Sequence, residues 1–327
     1  MCKGIHAMES DGNGNYQCTN PTCRAFVAKC YNYATYNICN RMVAQNGQHP
    51  AQHLCDYCQL TETIPDLSVG DNITKWYKLE VAKRRLLYLL DLIGLPYGSK
   101  AEHFELPLSF DFKQDIEPPT FFGWVSIGQG EKVYTGHANG KITININEAD
   151  PVEREKLRVQ MNETQRTLIG HFRHEIGHYY WQLLVQGKDE DAFKALFGDH
   201  ESPTYSEALD YYYKNGPKEN WAKGYISAYA TMHPWEDFAE TWGTYLDMIA
   251  VLDTADNTEL LEMPGEDLGN AQLDEMLLRY EDLSLRVNEV NRSLGLPDLL
   301  PETFSEPVVD KLRYIHRLVK ENRRVAV

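Results

Sequence analysis

The stretch GHFRHEIGHYYW, residues 170–181, puts three histidines and one glutamate into twelve positions. Within it, His174-Glu175-Ile176-Gly177-His178 fits H-E-x-x-H. Residues four apart on an α-helix are offset by about 40° around the axis. The imidazoles of His174 and His178 therefore project from one face and suit two adjacent vertices of a zinc tetrahedron. Glu175 falls beside that metal, placed to take a proton from zinc-bound water. The plain alternative is a surface helix that carries these letters by chance. Against it, Leu168, Ile169, Phe172, Tyr179, Trp181 and Leu184 predict a largely buried helix, and buried histidines and carboxylates without partners are costly.

A third ligand must come from elsewhere. A metzincin continuation would need Gly at 181 and His at 184, where this chain has Trp181 and Leu184. The downstream candidates are Asp199, His200, Glu201, Glu207, Glu236, Asp237 and Glu240. The stretch YISAYATMHPWEDFAETW favours Glu236: Pro234 suits a first helical position and puts Glu236 and Asp237 in the first turn. Glu236 and Glu240 then share a face, so one can bind metal while the other bonds to a ligating imidazole. First-turn acids also complement the helix dipole, which accounts for Asp237 better than for the Glu236/Glu240 pairing.

The elements that must position these groups are legible in outline. ITKWYKLEVAKRRLLYLLDLIG repeats Trp76, Leu79, Leu86, Leu87, Leu90 and Ile93 at helical spacing, with Gly94 placed to end the helix. FELPLSFDF, FFGWVSI and GKITININ read as strands of a small antiparallel sheet. In the last, Ile142, Ile144 and Ile146 face one way and Thr143, Asn145 and Asn147 the other. Beyond Asp150 the chain reads as helical almost throughout. CQLTETIPDLSVGDN, broken by Pro65 and Gly70, reads as a connector.

All seven cysteines lie in the first 58 residues, a segment with almost no aliphatic periodicity. Such a segment needs a staple other than a core. Cys30-x8-Cys39-x15-Cys55-x2-Cys58 ends in a CxxC knuckle that suits tetrahedral thiolate coordination. Cys2, His6, Cys18 and Cys23 offer a second set of ligands on spacing alone; free thiols are the alternative. This division gives a cysteine-rich zinc-ribbon-like module over residues 1–63 and a peptidase-like domain over 64–327. The net charge of -16 opposes nucleic acid as a general partner. No apolar run approaches membrane-spanning length, and MCKGIHAMESDGNG has no apolar signal core. The expectation is a cytoplasmic protein.

WEDFAETW resembles the glutamate helix of the gluzincins, especially the E-F-F-A-E segment of anthrax lethal factor. That resemblance implies Glu236 as the metal ligand, and Tyr229, seven residues earlier, as a donor to the oxyanion. IPDLS, WYKLEVAKRRLLYLL, TGHANGKITININEADPVEREK, TLIGHFRHEIGHYYW, LDTAD, NRSLGLPDL and PVVDKLRYIH widen the match. Together they resemble the bacterial family called putative zinc-binding metallopeptidases, which carries an N-terminal zinc-ribbon segment. The resemblance runs from about residue 30 to near 320. It implies an α+β zincin-like fold, with His174 and His178 on the metal and His171 packing or supporting. Cys30, Cys39, Cys55 and Cys58 match the family's cysteine pattern; CTNPTC departs from its usual first CxxC pair.

These readings converge on a zinc-dependent endopeptidase with one catalytic and one or two structural zinc ions. Glu175 is the base, Tyr229 the oxyanion donor, and Glu240 a support for a ligating histidine. Residues 141–147 are expected to pair with an extended peptide. The competing reading is a protein-binding adaptor, in which the zinc module recruits a partner and the peptidase-like domain is autoinhibited or inactive.

Overall fold

A computed structural model describes residues 8–10, 15–19, 26–44, 53–115, 133–160, 167–263, 268 and 270–324. The first module is an antiparallel sheet of β1 (Met8–Ser10), β2 (Asn15–Cys18), β3 (Phe26–Lys29) and β4 (Met42–Ala44), in that order, with the short helix α1 (Tyr31–Tyr36) between β3 and β4. Cys30, Ile38, Cys39, Cys55, Tyr57, Cys58 and Leu60 are buried and continuous with the core built on the next helix. Aliphatic residues are few in the module, and Ile38 and Leu60 are buried in this shared core.

The next helix is α2 (Asn72–Leu92). Trp76, Leu79, Leu86, Leu87 and Leu90, together with Ile93 just beyond it, are all buried, as their spacing predicts. Trp76 meets Tyr36 of the module edge to face, ring centroids 5.4 Å apart. The expected connector is only partly irregular. Thr61–Thr63 forms β5, an edge strand, before Pro65 breaks the chain. Three residues are too few to show alternation, so this strand is silent in the sequence. Glu80 and Lys83 of α2 are fully buried, 2.9 Å apart, and both reach the Thr61 hydroxyl. A buried pair of this kind is tolerable only when its remaining polar valences are met, and β5 helps to meet them.

The second sheet has the order β5–β6–β8–β7, with β6 Ser109–Lys113, β7 Gly136–Ala138 and β8 Lys141–Asn145. It is mixed, not antiparallel throughout: β5/β6 and β6/β8 run parallel, and only the β7/β8 hairpin is antiparallel. Alternation specifies which face a residue takes, not the direction of its neighbours. Ile142, Ile144 and Ile146 are fully buried, though Ile146 and Asn147 belong to the 3-10 turn that follows β8. FELPLSFDF becomes strand only from Ser109, and FFGWVSI lies outside the described residues. Because β8 is flanked on both sides, residues 141–147 cannot be the strand along which a peptide pairs. The hairpin turns on Asn139 and Gly140, both at positive φ, and a Cβ at Gly140 would lie 2.2 Å from the Pro107 carbonyl oxygen.

Helices form the rest: α3 (Pro151–Gln160), α4 (Leu168–Tyr180), α5 (Glu190–Phe197), α6 (Tyr205–Asn215), α7 (Pro234–Asn257), α8 (Leu273–Ser293) and α9 (Glu306–Glu321). α4 runs on into a π-helical turn over Trp181–Val185. Among the described residues, no helix is long and apolar enough to cross a membrane.

α4 crosses α7 closely at Gly177. A Cβ there would lie 2.9 Å from Ala239 Cα and 3.1 Å from Trp242 Cβ. Gly177→Ala is expected to destabilise the fold by about 1–3 kcal/mol through overpacking, seen as a lower thermal midpoint. A variant as stable as the parent would overturn the close-approach argument.

Candidate active site

α4 and α7 bring together what the sequence separates. Thr167 caps α4, its hydroxyl accepting from Gly170 N at 3.0 Å. α7 opens with Pro234, and His233 Nδ1 accepts from Trp235 N at 3.1 Å. His174, His178 and Glu236 offer ligand atoms that all lie within 4.8 Å of one another and could hold a metal ion. His174 Nε2 is 3.0 Å from Glu236 Oε2 and 3.2 Å from His178 Nε2; His178 Nε2 is 3.5 Å from Glu236 Oε1.

The surroundings fix these groups. His174 Nδ1 bonds to Glu240 Oε1 at 2.7 Å, and the Ser227 hydroxyl donates to Glu240 Oε2 at 2.7 Å while accepting from Ala230 N. The Tyr205 hydroxyl donates to Glu236 Oε1 at 2.9 Å. Tyr229 packs near His174, ring centroids 6.2 Å apart, and its hydroxyl meets that of Tyr205. Burial, with Glu236 nearby, pushes both phenols above their ordinary value, so each remains a donor. Glu175 is buried, and burial raises its pKa against the pull of His174 and His178. Its Oε2 has no hydrogen-bond partner, which leaves it available as a proton acceptor.

The other sequence candidates go elsewhere. Asp237 is buried against Lys311 of α9 at 2.6 Å; burial raises its pKa to about 6 against the pull of that lysine. Asp199 and Glu201 pair with Lys194, Glu207 closes the capping box of α6 with Thr204, and His200 packs on Trp181. His171 pairs with Glu148, which also accepts from the Thr135 hydroxyl. Tyr205 and Ser227 escaped the sequence reading. Nothing local marks Tyr205, one of 20 tyrosines, and only the docking of α6 brings it to Glu236.

In the module, Cys30, Cys39, Cys55 and Cys58 are buried free thiols whose sulfurs converge within 4.8 Å. Cys30 Sγ accepts from Cys55 N at 3.3 Å and Cys39 Sγ from Arg41 N at 3.4 Å. Hydrogen bonds from Cys39, Cys55 and Cys58 drive the Cys30 thiol far down, and the same contacts, first with Cys30, drive Cys58 up. Four such sulfurs cannot all ionise together without a cation, which is the donor set of a closed zinc site. Of the second set, Cys18 is buried at the end of β2, while Cys2, His6 and Cys23 lie outside the described residues.

The family described as "putative zinc-binding metallo-peptidase" matches residues 72–318. The chain belongs to that family. It is also 38% identical over 276 residues to three uncharacterized proteins, one from Mycobacterium bovis and two from strains of Mycobacterium tuberculosis. The alignment covers 82% of this chain and 76% of each relative. No solved structure matches it. The matched span contains His174, His178 and Glu236, and the four cysteines lie before it.

The His174 group also fits a cation on its own terms. With Nδ1–H committed to Glu240, a neutral His174 turns its Nε2 lone pair toward Glu236 Oε2, which has no hydrogen-bonded donor. Such a contact needs a proton or a metal between the two atoms. Burial opposes a proton on His174, but Glu236 and Glu240 overcome it and raise its pKa well above 6.5. This pairing stabilises the metal-free protein fully below that ordinary value and is lost as pH rises through the raised one. A cation bound here must displace the proton. Zinc titrated calorimetrically into metal-free protein at pH 7 is therefore expected to give an apparent enthalpy that changes with the ionisation enthalpy of the buffer, and less so in Glu240→Gln. An enthalpy independent of buffer would contradict it.

Proposed function

We propose that this chain is a zinc-dependent endopeptidase. One observation carries the reading: two imidazoles from α4 and a carboxylate from α7 converge, with Glu175 on α4 keeping its Oε2 without a hydrogen-bond partner. His174, His178 and Glu236 would hold the zinc, and Cys30, Cys39, Cys55 and Cys58 a second, structural ion. Three protein ligands leave a position open for chemistry, whereas four thiolates close theirs. Bound at the first site, zinc supplies Lewis acidity for a scissile carbonyl and for a water.

The chain's own residues do the rest. Glu175 takes the proton of the attacking water and returns it to the departing amine. Its raised pKa suits both acceptance and return. Tyr229 donates its O–H to the carbonyl oxygen as negative charge develops there, and Tyr205, bonded to both Tyr229 and Glu236, holds donor and ligand in register. Glu240, fixed by Ser227, orients the His174 ring. Among the described residues β7 is the edge of the sheet next to α4, with His137 against Tyr179. It replaces β8 as the strand for an extended substrate to pair with. The free thiols of the cysteine module fit a reducing compartment such as the cytoplasm.

Glu175→Gln is expected to retain zinc and lower kcat on an unfolded protein substrate by about 10²–10⁴-fold; full activity would sink the mechanism. Tyr229→Phe is expected to lower kcat by about 10²-fold with KM little changed. A rise in KM alone would assign Tyr229 to substrate binding instead.

A further inference from the structure

A groove of about 850 Å³ runs between the cysteine module and α2, a size that suits a bound ligand. None of His174, Glu175, His178 and Glu236 lines it. One wall is the segment around Cys39, and the other is the outer face of α2, with Tyr77, Arg84, Arg85 and Tyr88. Its lining holds five tyrosines, three arginines and no carboxylate, on a chain whose net charge is -16. This composition sets the groove apart from the rest of the molecule.

Among the described residues, the carboxylates that bond to its lining are already engaged, Asp91 by the hydroxyls of Tyr57 and Tyr97. Asp56 holds Arg41 through paired contacts of 3.1 and 2.9 Å, and Asp253 accepts from Tyr88 at 3.3 Å. Arg84 donates to the Ile38 carbonyl, a neutral acceptor, and makes no ion pair among the described residues. Arg85 is exposed and makes no ion pair among the described residues. A concave site with cations and no anions attracts negative ligands that the remaining surface repels. Tyrosine and arginine are also the side chains that dominate binding hot spots, through rigid contact area and paired bonds to carboxylates.

We propose that this groove docks an acidic segment of a polypeptide, which, on the peptidase reading above, belongs to a protein substrate held apart from the cleavage site. Ile73 and Val81 on the α2 wall give apolar contacts between the tyrosines, as an extended peptide with alternating acidic and apolar residues requires. A nucleic-acid strand fits less well: its regular phosphates would continue from the short groove onto an acidic surface.

The test measures fluorescence anisotropy of a short labelled peptide alternating glutamate and leucine, using zinc-loaded full-length Glu175→Gln protein. Binding read this way does not depend on catalysis, so failure of the peptidase mechanism would leave it intact. Binding is expected, weakening with added salt and by about tenfold or more with Arg85→Glu or Tyr77→Ala. Both side chains are exposed, and an unchanged thermal midpoint would show that the fold persists. Absence of binding, or equal binding by both variants, would overturn the proposal. So would an oligothymidylate that binds more tightly than the peptide and competes with it, since the groove would then be a single-strand site.

Discussion

The crossing of α4 and α7 is the constraint on which the rest depends. Two helices can present side chains to a common point only if their backbones come close and keep a fixed rotation. Gly177 permits the first, because Ala239 and Trp242 occupy the space a Cβ would need. Trp242 stacks on Tyr180 at 4.8 Å and so resists rotation of one helix against the other. The same glycine that lies inside H-E-x-x-H is thus a packing residue. Its helix can carry the histidines to Glu236 and Glu240 only because position 177 has no side chain.

Electrostatics then explains why so many ionisable groups can share this space. Burial alone would penalise Glu236, Glu240, Glu175 and His174. Glu236 is nevertheless held below its ordinary value by His178 and His174, and Glu240 by His174 and Ser227, while Glu175, which lacks so close a partner, is raised. The two carboxylates on α7 are therefore favoured as ions, whereas burial shifts the one on α4 the other way. That difference in environment separates ligand and support from acid–base in the proposed mechanism. The hydrogen bonds from Ser227 and Tyr205 add to this by holding Glu240 and Glu236 in place.

The cysteine module extends this logic to a segment without enough apolar residues to fold by burial. Its four sulfurs converge, and Ile38, Tyr57 and Leu60 share the core of α2. Through Glu80 and Lys83 the same helix grips β5, the first strand of the second sheet. α2 thus couples the module to the sheet that flanks α4, and the arginine-lined groove lies on its outer face.

By itself the sequence determined what is periodic and local. A spacing of four puts His174 and His178, and likewise Glu236 and Glu240, on single helix faces; the same rule buried one face of α2, and a period of two buried Ile142 and Ile144. The cysteine spacing marked four sulfurs that the fold does bring together. Tertiary structure alone decided the relations between elements: the parallel pairing of β8, its central place in the sheet, the β5 edge, the pairing of His171 with Glu148, the approach of Tyr205 to Glu236, and the groove. Helix and strand periods are set by the backbone and can be read along one segment. Which segments become neighbours depends on the packing of the whole core, and no spacing within a segment encodes it.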